Sequence, residues 1–236
     1  MRAAGHIVAQ ICEQIVNYIG PGMVTAEIDS FAAKVIAGYG AKSAFLGYRG
    51  YPASICVSVN DEVVHGVPGR RRIQMGDIVS VDIGIVKDSF YSDMAKTVMI
   101  GAVDLKVMEL VGTAEKALYA GIAKAVAGNK LSDISHAIEE CARRAGFSVV
   151  RQFVGHGIGR TMHEEPQILN FGPPGKGPIL KEGMTLAIEP MVNMGGAEVE
   201  VLNDGWTAVT CDSRPSAHFE HTVAVGAKSA EILTQV

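Results

Sequence analysis

The chain has 236 residues, 48% of them hydrophobic, and its formal net charge at pH 7 is −4. This length supports one domain with a substantial core, and the apolar composition excludes a disordered chain. The only basic run is Arg70-Arg71-Arg72, so the surface that binding to phosphates requires is missing and a nucleic-acid substrate is not expected.

Two amphipathic helices are predicted first. Apolar residues recur at spacings of three and four from Ile7 to Ile19, and Gly20-Pro21-Gly22 then ends the helix. A second helix is predicted from a cap at Thr25 to a stop at residues 38–40. Polar residues interrupt the first segment throughout, which argues against a signal peptide or a membrane span.

The four cysteines show no CxxC spacing, and a chain of this length needs no disulfides to close a core. We therefore expect reduced thiols and a cytoplasmic protein.

The middle and end of the chain alternate between strands and helices. Residues 54–98 contain β-branched runs separated by turn residues, which predicts strands. Helical periodicity returns in residues 104–128 and 132–146, and a second block of strands and loops follows from 147 to 225. The order is helices, strands, helices, strands.

This order has a weak internal repeat. Gly22, Ile28 and Gly40 each have an identical residue 106 positions later. Chance agreement at glycine-rich helix ends is one interpretation. The other is a single catalytic domain, residues 1–236, built from two similar halves, roughly 1–105 and 106–236, with a site in the cleft between them.

Carboxylates occupy strand-like apolar stretches at four places. Asp82 lies in VSVDIGIV, Asp93 follows 11 residues later, Glu189 interrupts TLAIEPMV and Glu220 interrupts AHFEHTVAV. One such acid could sit at a strand edge or pair with an arginine. Four of them on one interior site would need cations of comparable charge, which predicts two divalent ions.

Three histidines are candidates for the same site. His156 lies between glycines that permit close backbone approach, and His163 follows 7 residues later. His65 comes between a strand and a turn, which would place it at the mouth of a cleft. Each could instead be an ordinary loop residue. Oxygen-rich sets with imidazole suit Mn, Fe, Co or Zn.

Several segments form a recognisable series along the chain: GYRGYPASICVSVNDEVVHGVPG, VSVDIGIV with YSDMAKT, GHGIGRTMHEEP, AIEPMV and FEHT. In this order they resemble type I methionine aminopeptidases, members of the pita-bread metallopeptidase family. The resemblance spans essentially the whole chain, and GYRGYP with HGIGRTMHEEP is close to specific for the methionine enzymes. It implies an α+β fold of two pseudo-symmetric α/β halves around a central antiparallel sheet.

The resemblance also implies roles for the polar residues. Asp93 and Glu220 would bridge two metals, Asp82 would complete one site, and His156 with Glu189 would complete the other. Ions about 3.5–4 Å apart would activate a bridging hydroxide, so no serine or cysteine nucleophile is required. Glu189 would relay the proton.

His163 would stabilise the oxyanion, and His65 would contact the amide beyond the scissile bond. By the same resemblance, the pocket for the methionine side chain is lined by Phe45, Tyr48, Tyr51, Cys56, Met162 and Trp206. Phe45 departs from the family pattern, because relatives in bacteria often have a small cysteine at this position. The resemblance therefore does not determine how wide the pocket is.

The expected reaction is removal of the initiator methionine from nascent proteins when the second residue is small. The expected partner is the N-terminal methionine of nascent polypeptides, with the ribosome as a candidate docking partner and a monomer as the assembly. Two rivals remain open. One is a proline-specific peptidase of the same fold, whose members usually carry a further N-terminal domain, and the other is a non-catalytic pita-bread binding protein.

Overall fold

The structure is a computed structural model that describes residues 1–236. Two pairs of helices alternate with two blocks of strands, in the order that the sequence predicts. The helices are α1 (Arg2–Tyr18), α2 (Thr25–Gly38), α3 (Leu105–Ile122) and α4 (Leu131–Arg144), with a short 3₁₀ helix at Tyr48–Gly50. The four helices pack in two pairs, α1 with α2 and α3 with α4.

Fifteen strands form three sheets. The strands are β1 (Lys42–Ser43), β2 (Cys56–Val59), β3 (Glu62–Val64), β4 (Ile78–Lys87), β5 (Phe90–Met99), β6 (Ser148–Val149), β7 (Gly155–Gly157), β8 (Glu164–Ile168), β9 (Thr185–Ile188), β10 (Met191–Asn193), β11 (Val199–Val201), β12 (Ala208–Thr210), β13 (Ser216–His218), β14 (Glu220–Ala224) and β15 (Glu231–Ile232). The central sheet has the order β1-β4-β5-β14-β9-β7-β8, with β2 paired to β4 and β15 paired to β14. All of its pairings are antiparallel.

The longest hairpin of this sheet joins β4 to β5. Its turn residues Asp88 and Ser89 both have positive φ, 50° and 65°, which matches the right-handed twist of the flanking strands. Ten residue pairs are in register along the hairpin, from Ile78 with Met99 to Lys87 with Phe90. This long ladder fixes which residues share a face of the sheet.

The helices bury one face of the central sheet. One core cluster joins α1 and α2 to isoleucine and valine residues of β2 and β4, including Ile83 and Ile85. The other joins α3 and α4 to β9, β10 and β14, with Ile134 and Ile188 among its buried members. The opposite face of the sheet is therefore free to carry polar residues.

The two halves are related by a regular displacement along the chain. Helices α2 and α4 begin and end 106 positions apart, and Gly22 and Gly128 have φ of 91° and 94°. Isolated bridges at Val24 and Lys130, also 106 apart, tie the two helix starts to the following block. The fold is thus two pseudo-symmetric α/β halves with a central antiparallel sheet, while the division of a single domain near residue 105 stays a prediction.

Two predicted helix boundaries differ from the structure. Val24, not Thr25, precedes α2, and the Glu27 carboxylate accepts from the Val24 backbone N–H. The Thr25 hydroxyl instead donates to Gly69 O and accepts from Gly69 N. Helix α3 ends at Ile122 rather than continuing to residue 128. None of the helices has both the length and the apolar character to cross a membrane.

Candidate metal centre

Two of the predicted ligands lie on the β4–β5 hairpin. Asp93 is opposite Gly84, and Asp82 is opposite Ala95, so both acids project from the same face of the sheet. Both side chains are buried, since only 9% of Asp82 and 4% of Asp93 is exposed to solvent. This face is the one that the helices leave uncovered.

Strand β14 brings Glu220 beside this pair. Glu220 is opposite Ala95, so Asp82, Ala95 and Glu220 form a row across three strands, with a small side chain between two acids. The Thr222 hydroxyl donates to Asp93 O and accepts from Asp93 N, which locks β14 to β5. Strand register therefore holds these acids together.

Glu189 lies between β9 and β10 rather than inside a strand. Its backbone O accepts a hydrogen bond of 3.2 Å from the Asn170 side chain. Its carboxylate approaches two imidazoles, with Oε1 3.5 Å from His156 Nε2 and Oε2 4.0 Å from His218 Nε2. A Glu189 carboxylate oxygen also lies within 4.8 Å of a Glu220 oxygen, so Glu189 belongs to the cluster of acids.

His156 is the middle residue of β7, where its two glycine neighbours are required by packing. A Cβ on Gly155 would lie 2.5 Å from Ala187 O, and one on Gly157 would lie 2.3 Å from Glu165 O. The ring Nδ1 lies 2.8 Å from Gly157 O and donates to it. This leaves the Nε2 lone pair facing the carboxylates, as in many metal-binding histidines.

The donor atoms form two overlapping groups. In each group the donor atoms lie within 4.8 Å of one another; one holds Asp93, His156 and Glu220, and the other holds Glu189, His218 and Glu220. Glu220 belongs to both, which suits two adjacent ion positions. Asp82 lies outside both groups, although burial and the neighbouring Asp93 carboxylate raise the pKa of Asp82.

Burial raises the pKa of every carboxyl group in this cluster. It lifts the pKa of Asp82, Glu189 and Glu220 well above the usual range, and neighbouring carboxylates raise each of them further. Burial also raises the pKa of Asp93 to about 7. Four such groups can all be ionised at neutral pH only if cations lie among them.

The cluster fits divalent ions by its donor chemistry. Asp82 Oδ1, Glu220 Oε1 and His218 Nε2 are buried with no hydrogen-bond partner. Unpaired buried polar atoms are costly, and metal coordination satisfies them. Carboxylate oxygens with imidazole nitrogen form a set suited to hard or borderline ions.

Metal removal is expected to destabilise the protein more as the pH rises. Between about pH 4 and pH 7 the buried acids of the metal-free protein hold protons that the unfolded chain has released, so its stability falls as the pH increases. Metal affinity increases over the same range, because the ligands must be deprotonated. Thermal unfolding with and without chelator at pH 6 and pH 8 tests this. Equal shifts in Tm at both values would contradict it.

The cluster of carboxylates and imidazoles closes one end of a cavity of about 140 Å³. All thirteen predicted site residues line it. They are Phe45, Tyr48, Tyr51, Cys56, His65, Asp82, Asp93, His156, Met162, His163, Glu189, Trp206 and Glu220. Arg49 is the one lining residue that the sequence did not predict. The cavity thus has a polar end with four carboxylates and an end rich in aromatic groups, while the individual roles stay predictions.

His163 and His65 lie above the cluster. The Tyr48 hydroxyl is 2.8 Å from His163 Nδ1. The centroids of the His163 and His156 rings are 4.3 Å apart. Burial lowers the pKa of His163, and it lowers that of His65 to about 4. Both imidazoles are therefore neutral at pH 7 and can act as hydrogen-bond donors without carrying charge.

The sequence profile of Metallopeptidase family M24 matches residues 1–227. The chain belongs to this family. The curated methionine aminopeptidase 1 of Bacillus subtilis is 48% identical over 236 residues, which cover 100% of this chain and 95% of the relative. The methionine aminopeptidase of Clostridium perfringens is 47% identical with the same coverage. The type I resemblance seen in the sequence is confirmed.

Solved structures of a methionine aminopeptidase and a prolidase have folds similar to that of this chain. The crystal structure of Thermotoga maritima methionine aminopeptidase has a TM-score of 0.98 and 45% identity, covering 100% of this chain and 95% of that one. Prolidase from Pyrococcus furiosus has a TM-score of 0.81 at 21% identity, and only 62% of its chain is covered. The second likeness concerns the fold alone.

Three residues at the M24 site escaped the interpretation of the sequence. His218, 2% exposed, faces Glu189, with its Nε2 4.0 Å from Glu189 Oε2. Arg49 follows Tyr48 in a backbone conformation with φ of 49°. Gly84 is two residues from Asp82 and shares its face of the sheet. The alternation of the strand was the available signal for Gly84.

Proposed function

We propose that the chain is a methionine aminopeptidase that hydrolyses the bond after an N-terminal methionine when the second residue is small. The observation that carries this proposal is the single cavity that joins a metal-binding cluster to a pocket of apolar side chains. The kinship with methionine aminopeptidases at 47% and 48% identity supports the same reaction.

Two divalent ions are proposed as the cofactor. The ligands would be Asp82, Asp93, His156, Glu189 and Glu220, and four carboxylates balance the charge of two such ions. The overlap of the two donor groups at Glu220 favours two adjacent positions. When bound, divalent ions supply a Lewis acid for the scissile carbonyl and lower the pKa of water. Co, Mn, Fe and Zn all suit this donor set.

Three polar side chains of the cavity would carry out the proton transfers and hold the peptide. Glu189 would accept a proton from the attacking water on its carboxylate and pass it to the amine that leaves. With the Tyr48 hydroxyl donating to His163 Nδ1, the His163 proton lies on Nε2 and can be donated to the carbonyl oxygen. His65 would contact the next amide.

The apolar end of the cavity would hold the methionine side chain. Tyr51 is held by its hydroxyl, whose single proton is shared between Gly66 O at 3.0 Å and Ile55 O at 3.2 Å. The Tyr51 ring lies edge-on to Trp206, with 5.1 Å between the ring centroids. Burial raises the pKa of the Cys56 thiol well above its usual value, so Cys56 stays neutral. A rigid apolar wall of this kind suits an unbranched thioether.

The second residue of the substrate is expected to be small. The His65 ring is held edge-on by Phe153 at 5.1 Å and by Trp206 at 6.4 Å, so it cannot move aside easily. A bulky second side chain would collide with it. We expect kcat/KM for Met-Ala-Ser to exceed that for Met-Leu-Ser by at least about tenfold. Equal values of kcat/KM for the two peptides would contradict the predicted preference for a small second residue.

The proline-specific rival is tested by the same assay. A peptidase for Xaa-Pro bonds would cleave Ala-Pro faster than Met-Ala-Ser, whereas the proposed enzyme would show the reverse preference. Tight metal binding with no hydrolysis of either peptide would instead favour a non-catalytic binding protein. Each of the three functions therefore has its own outcome.

We infer a cytoplasmic setting and action on nascent chains, since all four cysteines are free thiols and initiator methionine is exposed first at the ribosome. The proposed assembly is a monomer, since this chain by itself supplies all thirteen predicted site residues of the cavity. A pelleting assay with ribosomes and a sedimentation measurement test these points.

A further inference from the structure

We propose that Gly84 determines substrate specificity together with Phe45, because the Phe45 ring occupies the space that a side chain at residue 84 would fill. This inference rests on the proposed function. It assigns the depth of the methionine pocket to a pair of residues rather than to Phe45 alone.

Gly84 lies on the face of β4 that carries the predicted metal ligand Asp82. It is two residues after Asp82 and directly opposite Asp93, so it shares their face of the sheet. Its neighbours Ile83 and Ile85 point to the other face and are fully buried in the core beneath α1 and α2. A side chain at residue 84 would therefore project from the face that carries Asp82 and Asp93, toward Phe45 and Met162 of the cavity wall.

Two side chains take up this space. A Cβ on Gly84 would lie 2.5 Å from Phe45 Cε1, 2.9 Å from Phe45 Cζ and 3.1 Å from Met162 Cε. Separations under 3.0 Å are not tolerated by carbon atoms without displacement. Gly84, Phe45 and Met162 are thus a packed unit.

The Phe45 backbone has little freedom to move away. The Ser43 hydroxyl accepts from the N–H groups of Phe45 and Leu46, both at 3.1 Å, and donates to Ser54 O at 2.7 Å. Ala44 N donates to Gly84 O at 2.9 Å. Because the segment that carries Phe45 directly follows β1 and is bonded to β4 beside Gly84, a clash must be relieved by the ring.

The Phe45 ring packs against a buried cluster of Ala44, Ile158, Met162 and Ala187, and it also lines the substrate cavity. A methyl group at residue 84 would therefore push the ring into the space for the methionine side chain. Removal of the ring would leave a hole beside Gly84 with the shape of an aromatic side chain.

The test uses F45A, G84A and the double variant G84A/F45A, each loaded with Co. Hydrolysis of Met-Ala-Ser and Phe-Ala-Ser is measured for all three and for the wild type. We expect G84A to lower kcat/KM for Met-Ala-Ser by about tenfold or more, and F45A to raise the ratio of Phe to Met cleavage by about tenfold. The double variant is expected to resemble F45A, because the clash is gone.

Thermal unfolding of the same four proteins supplies a reading that does not depend on hydrolysis. G84A is expected to lower Tm in the wild-type background but not in the F45A background, since overpacking requires the ring. Additive effects of the two substitutions on both Tm and kcat/KM would overturn the inference. A wild type without activity on Met-Ala-Ser, combined with coupled Tm values, would refute the proposed function and keep the packed pair.

Discussion

Replacing Glu189 with glutamine is expected to lower kcat for methionine release from Met-Ala-Ser by about 10²- to 10⁴-fold. Glutamine preserves the size of the side chain and one oxygen, but it cannot accept a proton from water. Because Glu189 also lies among the donor atoms, the metal content must be measured on the same samples. A loss of kcat that exceeds any loss of bound metal would identify Glu189 as the group that accepts the proton.

The control is the E182Q variant. Glu182 is exposed and lies shortly before β9, the strand that Glu189 follows directly. It should retain wild-type kcat and KM. If E189Q with full metal content kept more than about a tenth of the wild-type kcat, the proton would have another acceptor and the assigned role would be wrong.

Replacing Asp93 with asparagine is expected to change metal affinity and metal-free stability in opposite directions. The substitution removes a buried ligand, so affinity should fall by about a hundredfold or more, beyond the usual cost of losing an outer partner. Burial raises the pKa of Asp93 to about 7, so the ionised group costs stability above that pH in the absence of cations. The Tm of metal-free D93N at pH 8 should therefore exceed that of the metal-free wild type.

The matched control lies on the same hairpin. Asp88 is exposed at the turn, and asparagine accepts its positive φ of 50° without strain. D88N should bind Co or Mn like the wild type and show the wild-type Tm. Calorimetric titration gives the affinities and the number of ions per chain. Unchanged affinity in D93N would remove Asp93 from the ligand set.

Much of this site was predictable because strands tolerate isolated buried acids poorly. Asp82 and Asp93 lie in runs of β-branched residues, and the hairpin pairing then places both on one face. The glycines beside His156 predicted close approach of the backbone, and the contacts of Gly155 and Gly157 confirm it. The order of helices and strands followed equally directly from periodicity and turn residues.

The parts that the sequence did not reveal depend on contacts between distant segments. His218 gains its place near Glu189 from the pairing of β13 with β10, which no local pattern encodes. The Thr25 cap failed because that hydroxyl bonds to Gly69, 44 residues away. Gly84 looked like an ordinary strand residue until Phe45, 39 positions earlier in the chain, was seen packed against it.

The most direct test of the proposed reaction is methionine release from Met-Ala-Ser by metal-free protein before and after addition of Co or Mn. We expect no release before addition, and release after it that saturates at two ions per chain. Tight binding of the metal without any release of methionine would contradict a metal-dependent aminopeptidase.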